Sequence, residues 1–142
     1  MENNITKMIV ESKPSSVTLA FRLILVSIAI GIINMILEYF EGGLYYYSTS
    51  GIIATALIIM GIILFLAFQI QRGKNWARII FFIVVSIGIV FSVPQYMSTF
   101  SRNFHIWIIK IIMALIDIAV IVLLFNKQSH DWFLKIKNSM KG

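Results

Sequence analysis

The chain has 142 residues, of which 59% are hydrophobic and 13% charged, with a mean hydropathy of +0.91 and a formal net charge of +6. Soluble domains carry about 25% charged residues, and a water-soluble fold this apolar would expose large association-prone patches, so the composition excludes an ordinary soluble domain. Cysteine is absent, which removes disulfide frameworks, thiolate nucleophiles and Cys-ligated metal sites.

In chain order, the first 16 residues are polar and carry Lys7 and Lys13. The apolar stretch after them is too long for a signal-peptide core and lacks a small-x-small cleavage site, so it reads as a retained span. Four apolar segments follow, at about 17–37, 51–70, 76–95 and 104–125, with a tail over 126–142. A helix of ~20 residues crosses the ~30 Å hydrocarbon core, and each segment meets that length. Hydrocarbon cannot hydrogen-bond backbone groups, so a span is a helix or part of a closed barrel. Barrel strands run about ten residues and alternate polar with apolar, unlike these continuous runs.

The cations alternate along the chain. Lys7, Lys13 and Arg22 flank span one, Arg72, Lys74 and Arg78 join spans two and three, and Lys127, Lys135, Lys137 and Lys141 follow span four. The opposite connections hold Glu38, Glu41 and Arg102. Lys and Arg collect on the cytoplasmic side, so the expectation is an all-α four-transmembrane-helix bundle, N-in and C-in, in one membrane domain over 1–142. The positive charge thus reads as orientation chemistry rather than nucleic-acid binding. Tyr39, Tyr45 to Tyr47, Tyr96 and Trp107 fall at outer boundaries and Trp76 and Trp132 at inner ones, where amphipathic rings favour the headgroups. Spans two and four end in related ways, at Phe68 to Trp76 and Phe125 to Trp132. That echo suggests two tandem helical hairpins in a parallel repeat.

Asp117 lies near the middle of span four. A charge at that depth costs on the order of 2.5–3.5 kcal/mol, so it should face protein or water. Lys110 is seven residues earlier on the same face, about 10 Å away along the axis, with the small Ala114 between them. By depth, Asp117 is level with Ser27 of span one and Ser86 of span three, and Lys110 with Asn34 and Glu38. The expectation is that the Ser27–Asn34 stripe faces the Lys110–Asp117 stripe, with Ser86 joining. Such a cluster serves either as a proton- or ion-responsive site or as polar glue between helices, with Lys110 snorkelling outward. Glu38 and Glu41 read as a solvated loop or a cation-binding pair. His105 and His130 fall on opposite sides and make no metal site. There is no serine triad, P-loop, HExxH or dinucleotide turn, so no cofactor is expected.

In the tail, Trp132, Phe133, Ile136 and Met140 recur at helical spacing among Lys135, Lys137 and Lys141. Ser129 can cap such a helix with Asp131 in its first turn. The reading is a short basic amphipathic helix on the anionic inner leaflet; the alternative is a disordered basic end.

The segment Gln71-Arg-Gly-Lys-Asn-Trp-Ala-Arg78, leading into a span, resembles one that recurs in small bacterial four-helix inner-membrane proteins of unassigned function. In those, the last span is followed by a Ser-x-x-Trp-Phe-like tail, similar to Ser129 to Phe133 here. The resemblance implies a bacterial inner-membrane location and carries no catalytic residues. In the basic segment, Gly73 ends one helix, Asn75 can cap the next, Trp76 sits at the interface, and Arg72, Lys74 and Arg78 meet phosphates. Trp132, Lys135 and Lys137 do the same from the tail. The leading functional expectation is a non-enzymatic membrane component, a subunit, modulator or immunity-type partner. Its partner would be another membrane protein or further copies of itself, met through the small and polar stripes. The alternatives are a small oligomeric transporter or channel subunit using Asp117, and a lipid-modifying enzyme using Glu38, Glu41 or His105.

Overall fold

The computed structural model describes residues 13–40 and 49–139. Lys7, Glu41, the tyrosines at 45–47, Met140 and Lys141 lie outside them, as do the side chains of Tyr96 and Arg102. Within the described residues there are five helices and no strand: α1 Ser15–Phe40, α2 Thr49–Gln71, α3 Asn75–Arg102, α4 Phe104–Phe125 and α5 Lys127–Ser139. The first four are long and apolar enough to cross a membrane, as in a multi-pass membrane protein, and they form a four-helix bundle. Each packs on its neighbours in a ring, α1 on α2, α2 on α3, α3 on α4 and α4 back on α1, while among the described residues no close backbone approach joins diagonal helices. The α1–α4 contact is the most extensive. The tightest pairing therefore joins the first hairpin to the second.

The helix ends follow from local chemistry. Gly73 takes φ +76°, with its N–H on the Ile70 carbonyl and the Lys74 N–H on that of Gln69. This double closure ends a helix in a left-handed residue. A β-carbon at Gly73 would also run into the Ile136 side chain and approach Trp132 at 3.3 Å. Lys74 holds the cap position of α3 in extended backbone, with no side-chain capping bond. Asn75, expected to cap, is instead the first helical residue, and its buried Oδ1 has no partner. The third span, expected to end near residue 95, continues as helix to Arg102. Pro94 sits inside it and leaves its α-helical acceptor, the Val90 carbonyl, without that bond. The α3–α4 link is Asn103 alone and the α4–α5 link is Asn126 alone, in extended backbone.

Packing is uneven along the bundle. The end holding the start of α1, the α2–α3 turn and α5 is the basic end. Nearly all fully buried side chains lie in its half, among them Val17, Ala20, Ile70, Phe81 and Leu124. Helix α5 closes this end. Its apolar face, Trp132, Phe133 and Ile136, is 0–3% exposed and rests on α1, α3 and α4. This corrects the expectation that the face, and Trp132 with it, lies against lipid: the bundle end consumes it. Lys135 and Lys137 remain exposed on the other face.

Candidate functional site

One group of polar residues from the spans gathers between α1 and α4, in the half away from α5. The Ser27 hydroxyl donates to the Asp117 carboxylate at 3.0 Å. Toward the far end, the Lys110 ammonium pairs with Glu38 at 2.7 Å and reaches the Thr99 hydroxyl at 3.5 Å. The Asn34 amide donates to the same Glu38 oxygen at 3.2 Å. The expected register, Ser27 with Asp117 and Lys110 with Asn34 and Glu38, is the register of the structure. It follows from helical geometry, since seven residues advance ~10.5 Å on nearly the same face of both helices. Lys110 is turned to Glu38 and is only 15% exposed, so it does not snorkel to the headgroups. Ser86 is half-buried and does not line the space around Asp117. From α3 that wall is made by Val85, Gly88 and Ser92.

These groups line a cleft of about 320 Å³ that starts at Glu38, Lys110 and Ser92 and descends to Asp117. A second cavity of about 290 Å³ continues from Asp117 past Ser27 and Gly31 toward Ile24 and Phe81. Asp117 and Met113 line both cavities. A β-carbon on Gly31 would meet the methyl groups of Met113 and Met60 at 3.3 and 3.5 Å, so this glycine lets two flexible side chains reach the α1 backbone. Below, the packed half closes the floor.

Against known proteins, the chain matches no protein family, no curated protein and no solved structure.

A second polar cluster sits at the basic end. Arg78, read from sequence as a phosphate contact, is 4% exposed. Its guanidinium donates to the Leu124 carbonyl at 3.2 Å and meets His130 Nδ1 at 3.4 Å. It lies 4.8 Å from the ring centres of both Phe125 and Phe133, an arrangement that stabilises a cation by its ring quadrupoles. The planar guanidinium thus ties α3 to the end of α4 and to α5. Ser129, expected as a cap, lies inside α5. Its hydroxyl donates to the Leu123 carbonyl at 2.7 Å, so at its 2.8 Å contact with Ser16 it accepts. Arg78 and Ser129 were not legible as a latch, because their partners lie far along the chain. Trp76 is 45% exposed on the bundle flank and Arg72 is exposed, positions open to an interface.

Proposed function

We propose that the chain is a non-enzymatic integral protein of a bacterial inner membrane, with both ends cytoplasmic. In this reading it acts as a subunit, modulator or immunity-type partner of another membrane component. The observation that carries this reading is the double pairing of Ser27 with Asp117 and Glu38 with Lys110 across the same two helices. Intramembrane polar groups spent on each other hold helices together, and here they fix α1 on α4. The polar stripes are thereby used within the chain, so a partner meets its apolar flanks, where Leu57, Ile58, Val90 and Phe91 stand exposed. The alternation of Lys and Arg supports the orientation, and the likeness of residues 71–78 and 129–133 to bacterial inner-membrane proteins supports the location. Photo-crosslinking from position 58 or 90 in native membranes tests it. Adducts to a second copy or to one defined membrane protein are expected; adducts to lipid alone would sink the assembly reading.

The cleft favours a second reading, a small oligomeric transporter or channel subunit with Asp117 as its ion-responsive residue. Intramembrane ionisable groups on a cavity often mark such pathways. Flux through vesicles reconstituted with Asp117→Asn separates the two: unchanged flux places transport elsewhere.

A further inference from the structure

The walls of the cleft are unequal in hydrogen-bonding capacity. Each side-chain donor group on them already has an acceptor within the chain. Asn34 donates to Glu38, Lys110 to Glu38 and Thr99, and Ser92 to the Gly88 carbonyl. At the floor, Ser27 donates to Asp117. An acceptor is left over. Asp117 uses Oδ1 for Ser27, leaving a second carboxylate oxygen on a residue that lines both cavities.

Charge points the same way. Glu38 neutralises Lys110 at 2.7 Å, while no cation among the described residues pairs with Asp117. A bound cation would supply the partner that Asp117 lacks among the described residues. The remaining walls are apolar, and Met60 and Met113 supply flexible, polarisable side chains that adapt to irregular shapes. A few convergent polar groups in a mainly apolar cavity of this size are the usual features of a small-molecule site.

We propose that the cleft inside the bundle, lined by all four spans, binds a small lipophilic organic ammonium ion. Its ammonium group goes to the Asp117 carboxylate and its apolar body lies against Met113 and the α2 and α3 walls. This deepens the second reading above, on which it rests for the site. Its test reads binding, so it can fail without touching partner assembly, and flux can fail without touching it.

The test is calorimetric titration of the full chain in nanodiscs of zwitterionic lipid, with empty nanodiscs subtracted. The probes are 4-phenylbutylammonium and n-pentylbenzene, which has the same shape with CH₃ in place of NH₃⁺. Saturable binding of the ammonium is expected, with the hydrocarbon at least roughly tenfold weaker. Asp117→Asn should weaken the ammonium by a similar factor. Gly88→Leu is the second variant: Gly88 lines the cleft and a β-carbon there meets open space, so a leucine fills the site without removing a polar group. It should abolish binding while leaving the melting temperature unlowered. Absence of saturable binding by the folded chain, equal binding of the hydrocarbon, or full affinity in either variant would overturn the proposal. If Asp117→Asn does not fold, Gly88→Leu decides alone.

Discussion

Ser27 and Asp117 stand 90 positions apart and share a 3.0 Å hydrogen bond in the interior of the bundle. With Glu38 and Lys110 farther along the same helices, they pin α1 and α4 at two depths. A slide of one helix along the other breaks both contacts together.

The hydroxyl–carboxylate pair should therefore be measurable as a coupling. In detergent unfolding experiments, Ser27→Ala and Asp117→Ala each remove the bond and destabilise. The double-mutant cycle should return about 0.6 kcal/mol, the average for interhelical hydrogen bonds within membranes, and no more than about 1.7 kcal/mol. A coupling near zero would show that the two side chains do not depend on each other.

The Glu38–Lys110 pair predicts a charge-swap rescue. Lys110→Glu places two carboxylates together and should lower the melting temperature. Adding Glu38→Lys should restore most of the loss. Both groups are partly exposed, so the recovered energy is on the order of 1 kcal/mol. Failure of the double variant to recover would mean that Lys110 acts through Thr99 or another neighbour.

Arg78 holds α5 to the bundle, so its loss should free the tail. Arg78→Leu removes the bond to the Leu124 carbonyl, the His130 contact and both ring contacts. A hydrogen bond to a charged group contributes about 1.5–3 kcal/mol. Amide exchange over residues 127–139 should accelerate while the spans stay protected. Arg78→Lys should rescue little, because an ammonium lacks the planar fork. Unchanged exchange in both variants would remove the latch.

Gly73→Ala should act on the same end by another route. The left-handed backbone costs an L-residue roughly 1–2 kcal/mol, and the added methyl collides with Ile136. Together these should undock α5 more fully than either alone. Ile136→Val in the Gly73→Ala background removes the Cδ1 methyl that meets the new β-carbon at a cost of about 0.5–1.5 kcal/mol, and leaves the backbone strain, so it should recover at most part of the melting temperature.

How far the sequence could be read depended on which physical signal each feature carries. The four spans were legible because length and continuous apolarity suffice in hydrocarbon. The pairing of Ser27 with Asp117 and of Glu38 with Lys110 was legible by depth, since antiparallel helices with a fixed 1.5 Å rise leave little choice of level. The continuation of α3 through Pro94 to Arg102 was hidden, because the apolar signal stops there while the helix does not. Asn75 and Ser129 looked like caps from residue type alone; the backbone placed the helix starts at neighbouring positions instead.

Hydropathy, length and residue spacing were enough to establish a bundle of membrane-length helices, with its cations alternating between connections and two polar stripes at matching depths. Where the amphipathic tail goes, that Arg78 turns inward, and that the bundle interior is left open in one half, emerged with the packing of the helices. The physical reason is that hydropathy measures preference for an apolar medium without naming it. A lipid tail and the end of a helix bundle satisfy Trp132, Phe133 and Ile136 equally well, and only packing geometry selects between them.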